Sequence, residues 1–175
     1  MFLNLFLFVS FPVAILTSTI GYGLIFNNLF LKNNNYLNIS VLGFLGLFFL
    51  YFISSLTHVF VAHNYIHNIL VHSFGVIFFI LYKKKLNKDE LKILSIFFLI
   101  LFICFFISKT NEDFPYYHLP MSLQLVENKL QFGLGNINIA YNHFSSLFHI
   151  NSLFYLPVTK VYLFNLPNFF FQIFF

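Results

Sequence analysis

No charged residue occurs from Met1 to Leu31; a single Lys32 follows, and the next fifty residues, Asn33–Tyr82, are again without charge. Crossing about 30 Å of hydrocarbon takes about 20 apolar residues in a helix. The first run therefore predicts one span within Leu5–Leu31. The second is long enough for two spans and a turn, and the polar group His63-Asn64-Tyr65 marks the turn. That places spans at about Leu37–Ala62 and Ile66–Tyr82. A fourth is predicted at about Leu91–Ser108, around the unbroken run SIFFLILFICFFIS. A fifth, Val158–Phe175, is interrupted by Asn165, Pro167 and Asn168. The predicted fold class is all-α: a polytopic helical membrane protein with about five spans, four of them in 1–108 and the fifth in 158–175.

Between spans four and five lies the one sizeable stretch outside the membrane, 109–157. Pro115 and Pro120 interrupt helix there, which predicts an extended or turn conformation for Tyr116, Tyr117 and His118. From Pro120 the helical period returns: Leu119, Leu123, Val126 and Leu130 share one face, with Gln124, Glu127, Asn128 and Gln131 largely opposite. An amphipathic helix is predicted, started by proline and ended near Gly133 and Gly135, lying along the membrane surface. A second, shorter helix is predicted at Asn142–Phe154.

Composition agrees with the spans. Of 175 residues, 59% are hydrophobic and 8% charged, where a soluble domain carries about a quarter charged. Thirty phenylalanines without tryptophan, and nine lysines without arginine, are the pattern of AT-rich coding, so a single Phe, Asn or Lys carries little meaning. The net charge of +4 comes with no nucleic-acid-binding motif and indicates no nucleic-acid partner. Cys104 is the only cysteine, which excludes a disulfide within the chain. Met1–Leu31 has no early lysine and too long an apolar run for a signal peptide, and reads as a retained span. Lys32 and the group Lys83, Lys84, Lys85, Lys88 and Lys92 fall in segments that alternate correctly for one side, the cytoplasm. The turn at His63 and the segment Lys109–Pro157 are then outside. The ending on Phe174-Phe175, without flanking charge, predicts a truncated product.

Three of the five acidic residues lie in 109–157, and Glu112-Asp113 follow span four almost at once. The run Asn111-Glu112-Asp113-Phe114-Pro115-Tyr116-Tyr117-His118-Leu119-Pro120, followed by an amphipathic helix and a glycine turn, resembles the first large external loop of GT-C glycosyltransferases. These polytopic enzymes take a sugar from a polyprenyl-phosphate carrier and attach it outside the cytoplasm. The resemblance covers Thr110 to about Leu156 and implies a bacterial cell-membrane enzyme working on membrane lipid, with Asp113 as catalytic carboxylate and Glu112 as the second choice. It leaves a divalent metal open, since the family contains both kinds. It departs in having three spans before the candidate span and in lacking the later spans that hold the lipid carrier, so the chain corresponds to an N-terminal part, inactive alone.

The chemistry fits the residue types. Inverting glycosyl transfer needs a carboxylate to take the acceptor hydroxyl proton as the sugar C1–O bond breaks. His118 or Lys109 could neutralise the departing phosphate, and Tyr116 or Tyr117 could stack on a sugar. Each also has a plain reading: charges and tyrosines belong at span ends. Two other classes stay open. His58, His63, His67 and His72 group around the turn, with His63 and His67 four apart, the spacing of a two-histidine metal or haem site; Asp, Glu and Cys are absent between Lys32 and Lys85, so interfacial or core hydrogen-bonding histidines are the favoured reading. A non-enzymatic membrane subunit or transporter fragment is the other. Thr17-Ser18-Thr19, Gly21-Tyr22-Gly23, Gly43 and Gly46 then serve close helix packing. No P-loop, dinucleotide fingerprint or nucleophile elbow is present.

Overall fold

The computed structural model describes residues 2–31, 38–107, 112–137, 139–142 and 145–175. Among them the chain is helical and contains no strand. Helix α1 (Phe2–Phe26) continues into a wider helical turn, Asn27–Leu31. Then come α2 (Ile39–His58), α3 (Tyr65–Tyr82) with a tight turn at Lys83–Lys85, and α4 (Lys88–Ile107). Three segments, Phe6–Phe30, Ile39–His58 and Tyr65–Lys85, are long and apolar enough to cross a membrane. They match the first three predicted spans. Helix α4 is as long as α2 but begins with Lys88, Asp89, Glu90 and, one turn on, Lys92.

Local chemistry sets the helix starts. Asn38 Oδ1 accepts from the amide of Ser40 at 2.8 Å, and Asn64 Oδ1 accepts from those of Ile66 and His67 at 3.1 Å. Asparagine is a preferred residue at such N-termini because its side chain satisfies amides that the helix cannot. The amide of Ile39 donates to Glu90 Oε2 at 2.8 Å, so α4 supplies a carboxylate to the positive end of α2.

Helix α1 lies between α2 and α3 at backbone contact. A Cβ added at Gly46 would overlap the Thr19 carbonyl, one at Gly23 the Leu42 carbonyl, and one at Gly21 the Gly75 carbonyl. Without a hydrophobic drive between helices in lipid, small residues permit the close approach that dispersion rewards. The predicted packing role of Ser18-Thr19, Gly21, Gly23 and Gly46 is what the structure shows. Outward, Phe48, Phe52 and Leu56 of α2, Leu70, Phe74 and Leu81 of α3, and Leu99 and Ile103 of α4 are each more than half exposed. A water-facing surface this apolar would be exceptional; a lipid-facing one is expected. Helix α4 buries one narrow stripe, Leu94, Phe98 and Phe102.

The bundle has two distinct ends. At one, Lys85 Nζ donates to Asn28 Oδ1 at 2.9 Å and sits 5.3 Å from the centre of the Tyr82 ring. The other carries the turn of residues 59–64 and, docked on it, the lobe of residues 112–157. In the lobe α5 (Leu119–Glu127) and a short α6 (Leu134–Ile137) precede α7 (Ser146–Leu153). Helix α5 is the predicted amphipathic helix, shorter and turned on its axis: it buries Met121, Ser122, Leu125 and Val126, while Leu130 lies beyond its end and is exposed. Met121 and Leu125 pack with Phe148 of α7, so neighbouring protein covers this face. Helix α7 starts four residues later than predicted, where Ser145 Oγ accepts from the Leu147 amide at 3.3 Å.

The predicted fifth span is corrected. Residues 158–175 do not form one helix: Val158 and Lys160 adopt positive φ (69° and 42°), a tight helical turn covers Lys160–Leu163, and α8 is only Leu166–Phe174. Nine residues reach about 13 Å, less than half a hydrocarbon core. Instead α8 wedges between α2 and α4. Phe169 meets Phe98 and Phe102 of α4, and Phe174 lies on Gly43 and Phe44 of α2.

Candidate functional site

Six residues were predicted to carry chemistry, and the structure treats them differently. Glu112 and Asp113 are both exposed, in a turn leading into the helical segment Phe114–His118. The Asp113 carbonyl accepts from the Tyr117 amide at 2.9 Å, which fixes where its side chain starts. Tyr116 is 82% exposed. Tyr117 turns inward, its ring edge-on to Phe148 at 5.2 Å, and burial pushes its phenol above the usual range. His118 lies 5.4 Å from Phe148 and 5.2 Å from Tyr117. The two carboxylates and Tyr116 thus face solvent, while Tyr117 and His118 pack on the lobe's small core. Lys109 lies outside the described residues.

The lobe is tied to the bundle by hydrogen bonds rather than by apolar contact alone. The His63 amide donates to the Leu125 carbonyl at 2.9 Å, and the Leu130 amide to the His58 carbonyl at 2.9 Å. His58 Nε2 donates to the Asn128 carbonyl at 3.0 Å. Asn68 Nδ2 reaches the carbonyls of His63, Ser152 and Tyr155 at 2.8 to 2.9 Å. His72 Nε2 donates to the Leu153 carbonyl at 3.1 Å, so its Nδ1 accepts from Ser18 Oγ at 3.2 Å. These bonds also satisfy the last carbonyls of α7, which no residue of that helix can serve.

Around this joint four imidazoles meet. The His63 ring is stacked on His67 at 4.8 Å and 11°, 5.1 Å from His58 and 6.3 Å from His149. His58 and His149 are 5.5 Å apart. Ser54 Oγ and Ser152 Oγ each spend their one proton on the His149 carbonyl at 2.8 Å. His63 Nδ1, 2.7 Å from Ser152 Oγ, must then be the protonated nitrogen. Burial first, and the neighbouring imidazoles second, push His63 down to about 3; burial, with His58 beside it, pushes His149 down to about 4. Such histidines are neutral hydrogen-bonding groups at physiological pH. Among the described residues no group of three or more His, Cys, Asp or Glu is placed to hold a metal ion. His63 precedes α3, so its four-residue spacing from His67 is not helical; the rings meet across a turn.

A cleft of about 240 Å³ opens on the lobe beside His58, lined by Gln124, Leu125, Lys129, Gln131 and Tyr141. Gln124 Nε2 donates to Gln131 Oε1 at 2.6 Å across the reversal after α5, where Gly133 takes φ of 82°. None of the five described residues among those predicted lines this cleft. The sequence marked its floor only as the polar side of an amphipathic helix, because the chain reversal that folds Gln131 back onto Gln124 leaves no periodic signal. No protein-family model, curated protein sequence or solved structure matches the chain.

Proposed function

We propose that this chain is the membrane part and acceptor-side lobe of a glycosyltransferase that uses a polyprenyl-phosphate sugar, with α4 as a fourth crossing and the lobe outside the cytoplasm. One observation carries the reading. The lobe is bonded to the turn between two spanning helices, so it holds Asp113 on a fixed body at the end of the bundle opposite Lys83–Lys85. A carboxylate there stands where a lipid headgroup and a water-borne acceptor meet. The acceptor oxygen attacks the sugar C1, the C1–O bond to phosphate breaks with its electron pair going to the phosphate oxygen, and Asp113 takes the acceptor proton. Glu112 is the less favoured partner. His118 rests on Phe148, 5.4 Å between ring centres, and serves as a hydrogen-bond donor to the departing phosphate.

The test uses membranes in which the chain is produced together with the later spans that the resemblance assigns to the lipid carrier, supplied with polyprenyl phosphates each bearing one labelled sugar. Transfer is expected from at least one of them, reduced about a hundredfold or more by Asp113→Asn and only modestly by Glu112→Gln. Undiminished transfer in Asp113→Asn removes Asp113 from the mechanism. No transfer from any donor favours a non-enzymatic subunit, a reading to which the sparse contacts of α4 also point.

A further inference from the structure

A second cavity, of about 230 Å³, lies between the middle of α1, the last turns of α3 and the first half of α4. Its walls include Leu16 and Ile20 of α1, Phe79 of α3, and Leu91, Ser95 and Leu99 of α4. Thr17 and Ser95 add little polarity, because their hydroxyls donate back to the Ala14 and Leu91 carbonyls at 2.9 and 2.8 Å. The groove is apolar along its length. Its end is not. Residues three or four apart share a helix face, so Lys88 and Lys92 fall on the face of Leu91, Ser95 and Leu99, and Lys83 stands one turn beyond Phe79 on α3.

Lys83, Lys88 and Lys92 are exposed. They differ from Lys85, which is bound to Asn28 and lies over Tyr82. Of the two carboxylates in the link, Glu90 is turned to the Ile39 amide, leaving Asp89 against several cations. The arrangement is a hydrocarbon slot with a cationic mouth at the level where a spanning helix leaves the membrane.

We propose that this groove binds an anionic phospholipid, its phosphate among Lys83, Lys88 and Lys92 and one acyl chain between α1, α3 and α4. Charge complementarity selects the headgroup, and the apolar walls select a lipid over a free phosphate. Each lysine near an anionic headgroup strengthens binding about fivefold, so three give roughly a hundredfold. The site is at the opposite end from Asp113 and does not depend on the glycosyl-transfer reading.

Native mass spectrometry of the whole chain in detergent, with phosphatidylglycerol or phosphatidylcholine of the same acyl chains, tests it. Phosphatidylglycerol is expected to be retained at least tenfold over phosphatidylcholine. The preference should vanish in the K83Q/K88Q/K92Q variant, and S95W, which fills the groove but keeps the lysines, should lose both lipids. Leu99→Trp, one turn further along, replaces S95W where that variant does not elute as a single species. Soluble glycerol phosphate should fail to displace the lipid. Equal retention of the two lipids, an undiminished preference in the triple variant, or displacement by glycerol phosphate each overturns the proposal.

Discussion

Asn68 is fully buried and gives its amide nitrogen to two carbonyls, of Ser152 and Tyr155, more than 80 residues away in sequence, as well as to that of His63. Its Oδ1 accepts from His67 Nδ1 at 3.0 Å. Replacing it by leucine strips a donor from three carbonyls, and a buried polar group left unserved costs about 1–3 kcal/mol. Asn68→Leu is therefore expected to lower unfolding stability in detergent by about 3 kcal/mol. Asn64→Ala, which removes a helix cap at an exposed position, should cost about 1 kcal/mol. Thermal unfolding of both side by side decides: equal losses would mean Asn68 does not hold the lobe. Nothing local distinguishes Asn68 from the other asparagines of so asparagine-rich a chain. The histidines nearby are conspicuous, and hydrogen-bonding histidines are the favoured reading over metal ligation; their partners, Asn128, Ser152 and Leu153, lie too far along the chain to be named from it.

At the scale of elements, two contacts control assembly. Where α1 meets its neighbours, Gly21→Ala and Gly46→Ala each force backbones apart and are expected to cost about 1–3 kcal/mol, read from unfolding in detergent. Losses below a few tenths would show that the helices pack more loosely. Where α7 meets the bundle, proton uptake matters. His63 and His149 hold folded values of about 3 and 4, below the ordinary value of about 6.5, so the unfolded chain binds their protons first as pH falls. Their stabilising contribution is complete above about pH 6.5 and is lost toward pH 4, at up to about 1.4 kcal/mol per pH unit for each. The melting temperature should be level from pH 8 to 7 and drop steeply below 6; a flat profile to pH 5 contradicts the buried joint. The long helices were legible because charge-free runs of span length have few other outcomes. The break at Val158–Lys160 was not: two residues in the left-handed region leave hydropathy unchanged, and only Asn165 and Pro167 hinted at it.

For the whole molecule, sidedness is the property that organises the rest. Lys84 and Glu127 are exposed at opposite ends. In a Cys104→Ser background, an impermeant maleimide applied to intact cells should label Glu127→Cys and spare Lys84→Cys until the membrane is broken; the reverse pattern would invert the molecule and remove Asp113 from the outer surface. The candidate site was half legible. The prolines in 112–120 predict an extended or turn conformation for Tyr116, Tyr117 and His118. Instead Phe114–His118 is helical and runs into α5, because each proline sits in the first turn of its helical segment. Which side chains face water depends on Phe148 from a separate helix. The Glu90–Ile39 bond has a bearing on how the bundle meets bilayers of different thickness. It pins the starts of α2 and α4 to one depth, like two posts on a common sill. With α4 as the proposed fourth crossing, helices joined in this way are expected to answer a thicker bilayer by leaning together rather than sliding past each other, so that hydrophobic mismatch reaches the lobe as a change of tilt.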